Sequence, residues 1–128
     1  MEDEPDQPPQ LTEQVIGLAI EVHRQLGPGL LESTYEACLA HELKTAALPF
    51  ARQVALPVTY KDVKLECGYR IDFVIAGELI VEVKAVEKLT PLHDAQLLTY
   101  LRLSRIKTGL LMNFNTPALR HGLKRLSV

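Results

Sequence analysis

The apolar positions of the chain keep a helical spacing at first, alternate strictly after Phe50, and return to a helical spacing after Thr90. Val15, Leu18, Ala19, Val22 and Leu26 recur at three- and four-residue steps, which predicts a helix with one buried face from Leu11. Thr12 is placed to cap that helix and Gly27-Pro28-Gly29 to stop it. A second helical stretch over 30–47 carries Leu31, Tyr35, Cys38, Leu39, Leu43 and Ala46 on one stripe before Pro49 ends it. On the helical wheel Glu32 falls between Leu39 and Leu43, so the pattern aims one carboxylate at or near the core.

Beyond Phe50, Val54, Leu56, Val58 and Tyr60 alternate, Lys61-Asp62 makes a turn, and Val63 and Leu65 resume, which predicts a strand with a hairpin return. Two further strands, 69–75 and 79–85, are joined through Ala76-Gly77-Glu78. Thr90 caps a third helix with Pro91 at its first position, and Leu92, Ala95, Leu98 and Leu101 form its expected core stripe to about Leu103. The continuous apolar run Leu110 to Phe114 fits a buried central strand, while 117–128 fits either a last helical turn or an edge strand. This order predicts the α/β class: one domain with a mixed sheet and helices able to cover both faces.

Residues 1–10 hold three prolines and four acids, cannot bury apolar area, and are expected to be a disordered acidic tail to a domain over 11–128. Composition agrees with one core, since 128 residues at 47% hydrophobic and 23% charged are neither disordered nor multidomain in character. Cys38 and Cys67 lack metal or disulfide spacing and are expected to be reduced core thiols of a cytoplasmic protein. No apolar run is long enough for a membrane span, and the acidic start is unlike a basic targeting segment. The net charge of −2 hides a gradient: residues 52–128 hold twelve bases and seven acids. That excess permits a polyanionic partner without requiring one.

Candidate chemistry concentrates in YRIDFVIAGELIVEVKA, Tyr69 to Ala85. A three-residue loop at 76–78 sets Asp72 opposite Glu82 and Arg70 opposite Lys84, and alternation then gathers all four on one face with Ile71, Phe73, Val81 and Val83 on the other. Facing acids destabilise a strand pair unless a cation sits between them. Two readings follow from this spacing: a divalent-metal site, or a salt-bridge ladder of diagonal pairs, Asp72 with Lys84 and Arg70 with Glu82. The histidines His23, His41, His93 and His121 have no zinc-ligand spacing.

GLLESTY at 29–35, IDF at 71–73, VEVKA at 81–85, KLTPLHDAQLLTYL at 88–101 and GLLMNF at 109–114 stand in the order of the GxxExxY proteins. The chain resembles that family, which is grouped with the PD-(D/E)xK nuclease-like superfamily. The resemblance implies a restriction-endonuclease-like core. It also implies metal ligation by Asp72 and Glu82 with Glu32 as an added ligand, and catalytic work by Lys84. Gln96 and Tyr100 look like the glutamine-tyrosine pair of exonuclease-like branches, and Ile71 stands where the superfamily name has proline. Mg²⁺ or Mn²⁺ is the implied cofactor.

In that setting Gln96 is expected to hold the lysine or the attacking water, with Arg70, Tyr100 and His93 as substrate contacts. The first expectation is a nuclease acting on DNA or RNA, with no membrane partner and with homodimerisation compatible. The alternatives are a catalytically silent nuclease-like module that binds nucleic acid or regulates, and a phosphoesterase for a small ligand.

Overall fold

The computed structural model describes residues 10–128. Helices α1 (Gln10–Leu26) and α2 (Glu32–Thr45) precede strand β1 (Phe50–Ala55), the hairpin β2 (Val58–Tyr60) and β3 (Val63–Leu65), and strands β4 (Arg70–Ile75) and β5 (Leu79–Lys84). Helix α3 (Pro91–Ser104), β6 (Thr108–Asn113), a 3₁₀ turn over Leu119–Gly122 and β7 (Leu123–Ser127) complete the chain. Five strands form one mixed sheet in the order β1-β4-β5-β6-β7, with β5 and β6 parallel and the other pairs antiparallel. The crossover from β5 to β6 is made by α3, as parallel neighbours require.

One face of the sheet packs Phe73, Ile75, Val81, Val83 and Met112 against Val15, Ala19, Tyr35 and Leu39 of α1 and α2. The other packs Ile71, Ile80 and Leu111 against Leu97, Tyr100 and Leu101 of α3. The expected α/β class with helices on both faces is therefore what the chain adopts. No helix among the described residues is long and apolar enough to cross a membrane.

Several boundaries differ from the sequence reading. The expected tail lies outside the described residues except for Gln10, which is helical, and Thr12 is buried inside α1 and so is not its N-cap. The alternating run from Val54 to Tyr60 is two strands in different sheets, because Leu56 and Pro57 interrupt it; Pro57 has no N–H to carry a ladder onward. The turn at Lys61-Asp62 forms as expected, both residues having positive φ, the conformation of a tight hairpin turn. Segment 117–128 is both things at once, a 3₁₀ turn and then an edge strand. The core stripe of α3 is Leu97, Tyr100 and Leu101, with Leu92 and Ala95 turned outward. Cys38 packs beside the α1/α2 core, whereas Cys67 is exposed in the link before β4 and is no core thiol.

Two local devices hold the segment after β5. The GLLESTY motif begins at Gly29, whose φ of 98° suits only glycine, and Tyr35 locks the loop: its hydroxyl donates to the Gly27 carbonyl at 2.6 Å and accepts from Leu30 N. Its ring stacks on Phe114 at 4.7 Å. Buried Asn113 bonds both backbone groups of Val86, accepting from its N–H at 3.0 Å and donating to its carbonyl at 2.9 Å.

Asn113 is itself pressed by Gly122: a Cβ there would lie 2.2 Å from the Asn113 carbonyl oxygen, a backbone atom that cannot step aside. Gly122→Ala is expected to cost about 1–3 kcal/mol in denaturant unfolding, as overpacking does. Exposed Gly17, in mid-helix with nothing within 4 Å of its would-be Cβ, is the control. Gly17→Ala is expected to stabilise by about 0.5–1 kcal/mol. Equal stability of the two variants would contradict the packing described.

Candidate active site

The loop Ala76-Gly77-Glu78 sets the register of β4 against β5: Ile75 pairs with Leu79, Val74 with Ile80 and Phe73 with Val81. Extended by one step, this register brings Asp72 to Glu82, but backbone pairing stops at Phe73 and Val81. From there β4 continues only with β1, and β5 only with β6. Side chains span the fork. Asp72 N donates to Glu82 Oε2 at 2.8 Å, and Val83 N donates to Asp72 Oδ2 at 2.8 Å. Each carboxylate thus takes a backbone donor from the strand opposite its own.

Strand β4 also changes face at this point, while β5 keeps its alternation, with Leu79, Val81 and Val83 on one side and Ile80 on the other. Phe73 lies in the α1/α2 core and Ile71 in the α3 core, although regular alternation would place them together, so the expected shared face of Ile71 and Phe73 does not form. The cause lies on β1. Gln53 has φ of 51° and neither it nor Asp72 belongs to the paired register, which resumes at Val54 and Ile71. Val54 accordingly joins the α3 core, while Phe50 packs on the other side.

Gln53 and its neighbours were not anticipated. Gln53 Nε2 donates to Asp72 Oδ1 at 3.2 Å and to both Glu36 oxygens at 3.1 Å. Arg52 pairs with the same buried Glu36 at 3.1 Å. Glu36 lies one helical turn beyond Glu32, and that i, i+4 pairing of acids was the available signal.

Burial governs the charges. It raises the Glu82 carboxyl most, with nearby Asp72 adding to it, up to about 8 from the usual 4.5, against smaller lowering by the Asp72 N–H and Lys84. Asp72 is raised as well, first by burial, with the Val83 N–H opposing and Glu36 contributing. Tyr100 is raised by burial, then by both acids.

The remaining expected residues fall in different places. Lys84 is half-buried beside the acids, its Nζ donating to Gln96 Oε1 at 3.5 Å, and the two line a cleft with His93. Its strand end is fixed by three contacts: Phe114 N on the Lys84 carbonyl at 2.9 Å, Glu32 Oε2 accepting from Ala85 N at 3.1 Å, and the Asn113 clamp on Val86. Glu32 is therefore not aimed at the core. As the first residue of α2 it is exposed and reaches the end of β5. His93 closes a capping box, its Nδ1 accepting from Thr90 N at 2.9 Å. Tyr100 is buried against the edge of Tyr69.

Arg70 is exposed, and among the described residues no ion pair joins it or Lys84 to either acid. The salt-bridge ladder does not form. Nor do three His, Cys, Asp or Glu side chains among the described residues converge closely enough to hold a metal ion. Asp72 and Glu82 come together; Glu32 stands at the next backbone amide.

No curated protein and no solved structure matches the chain. Residues 9–126 match the family model of the PD-(D/E)XK nuclease superfamily. That span takes in every element from α1 to β6 and all of β7 but its last residue, including the fork of β4 and β5 and the lysine that ends β5. On a match of this extent, the chain belongs to the PD-(D/E)XK nuclease superfamily.

Proposed function

We propose that the protein is a metal-dependent nuclease that hydrolyses phosphodiester bonds in DNA or RNA at the Asp72, Glu82 and Lys84 cluster. One observation carries the reading: buried Glu82 and half-buried Asp72 meet at a strand fork, and Lys84, two residues along β5, bears on both acids and contacts Gln96. The superfamily match supports nuclease-like chemistry. The donor set fits a hard divalent cation, because the pair offers carboxylate oxygens and, among the described residues, no Cys or His side chain converges with both acids. The 3% exposure of Glu82 and its raised pKa describe a carboxyl whose ionisation is penalised by burial and by nearby Asp72, a penalty that a bound cation would offset.

Asp72 and Glu82 would hold the cation, Mg²⁺ or Mn²⁺, with Glu32, whose charge bears on Glu82, as a further carboxylate. Such a cation supplies Lewis acidity toward the phosphodiester. Lys84 Nζ stabilises charge developing on phosphate oxygens and orients the attacking water or takes its proton. Gln96 holds the ammonium in place from α3. A catalytically silent binding module is the second reading, favoured by the carboxylate oxygens already committed to Asp72 N and Val83 N.

Lys84→Ala separates the two. Turnover on linear and circular, single- and double-stranded substrates is expected to fall about 10²- to 10⁴-fold with fold and metal response intact. Wild-type protein that binds nucleic acid yet cleaves none with Mg²⁺ or Mn²⁺ would establish the binding module.

Stability tests the cation. Glu82 keeps its proton in the fold up to about pH 8 and loses it near 4.5 when unfolded. Folding therefore takes up a proton across that window. In EDTA, stability is expected to fall as pH rises from about 5 to 8, and Glu82→Gln to flatten that slope. A cation competes with the same proton, so Mn²⁺ is expected to raise Tm more at pH 8.5 than at pH 6. Asp72→Asn is expected to abolish the Mn²⁺ shift; a shift that survives would place the ion elsewhere.

A further inference from the structure

Helix α3 has a second stripe that the core does not use. Leu92, Gln96, Thr99 and Leu103, spaced by three or four residues, face outward along a cleft of about 790 Å³ whose other wall includes Tyr69. Three of the apolar side chains there are unusually open: Leu92 is 78% exposed, Tyr69 46% and Leu103 39%. Such a cleft has the size of a small-molecule site. Lys84, with Gln96, forms one wall, so the cleft adjoins the place where a phosphodiester would be held.

The Tyr69 ring is fixed in position. Its carbonyl accepts from Leu56 N at 3.0 Å, and its ring meets the buried ring of Tyr100 edge-on, with centroids 6.3 Å apart at 61°. Tyr69 nonetheless stays about half exposed and lines the same cleft as Lys84. Positive charge in the cleft is sparse: among the described residues that line it, Lys84 is the one Lys or Arg. A duplex is gripped by a broad basic surface and offers no free base face, whereas an unstacked base presents an apolar face to an aromatic ring.

We infer that this cleft is a subsite for an unpaired nucleobase, which stacks on Tyr69 between Leu92 and Leu103 while its phosphate lies toward Lys84. The inference rests on the nuclease reading and narrows its substrate to strands with unpaired bases. Base stacking tolerates any sequence, so the subsite selects single-stranded character and not a particular base.

The test is fluorescence anisotropy in EDTA, where nothing is cleaved, on four probes of equal length: oligothymidylate, oligouridylate, an abasic deoxyribose-phosphate strand and a blunt DNA duplex. Tyr69→Ala is expected to weaken both base-bearing single strands by about 5- to 150-fold, the worth of one stacked base, and to leave the abasic strand and duplex unchanged. Tyr69→Phe is expected to bind as wild type does. Leu92→Ser removes a side chain that supports no packing and is expected to give a smaller loss with the same preference; it decides the matter if Tyr69→Ala does not fold.

Equal weakening of base-bearing and abasic strands, or no weakening by either variant, overturns the subsite. So does a dimer in light scattering that Leu92→Ser dissociates while strand affinity stays constant, since a second copy would then be the occupant. Base-dependent binding without metal-dependent cleavage keeps the subsite and ends the nuclease reading. Cleavage without base-dependent binding does the reverse.

Discussion

Two carboxylates that accept backbone amides across the gap between β4 and β5 are the constraint on which the site is built. Strand pairing ends at Phe73 and Val81, and the open amides of Asp72 and Val83 go to Glu82 and Asp72. A buried amide without a partner would cost about 1–3 kcal/mol, so the acids are part of the fold before they are part of any chemistry. The same burial raises both carboxyls, which makes the fork a poor place for free charge and a good one for a cation. Gln53, in the left-handed region opposite Asp72, is where β1 accommodates the change of face. Its amide then ties Asp72 to Glu36 of α2, so α2, β1 and β5 all bear on one side chain.

The far side of the site is held with similar economy. Lys84 ends β5; its own carbonyl is tied to Phe114 just beyond β6, Ala85 to Glu32 of α2, and Val86 to Asn113 of β6. The lysine is thereby presented on a rigid strand end, with only its side chain free to follow substrate. The glycines at 29 and 122 serve this arrangement, one by turning the chain into α2 and the other by admitting the Asn113 backbone at close range. Precise placement of a reacting group on a fixed element is worth more than added contacts, because small misplacements cost large factors in rate.

Much of this was legible in the sequence, and what was not has identifiable causes. The three-residue loop fixes the register arithmetic, so the approach of Asp72 to Glu82 could be anticipated, while the Lys84–Gln96 contact was implied by the family resemblance. Thr90 and Pro91 announced α3 because cap chemistry is local. The face change between Ile71 and Phe73 was hidden, since glutamine carries no preference for the positive φ found at Gln53 and alternation presumes a regular strand. Glu32 was misjudged because a helical wheel gives angle but not height: at the first residue of α2 the side chain reaches past the core to Ala85. Arg70 failed to join the acids for the same reason that Ile71 changed face, and Leu92 and Ala95 were assigned to a core stripe of which only Leu98 and Leu101 pack inward.

The account stands on a cation held by Asp72 and Glu82. Anomalous scattering from crystals grown with Mn²⁺ tests this directly, because it locates the ion independently of activity. A peak ligated by oxygens of both side chains is the predicted result. A protein that cleaves nucleic acid with Mn²⁺ while its peak lies elsewhere, with Asp72 and Glu82 still bonded to Val83 N and Asp72 N and making no contact to the ion, would contradict it.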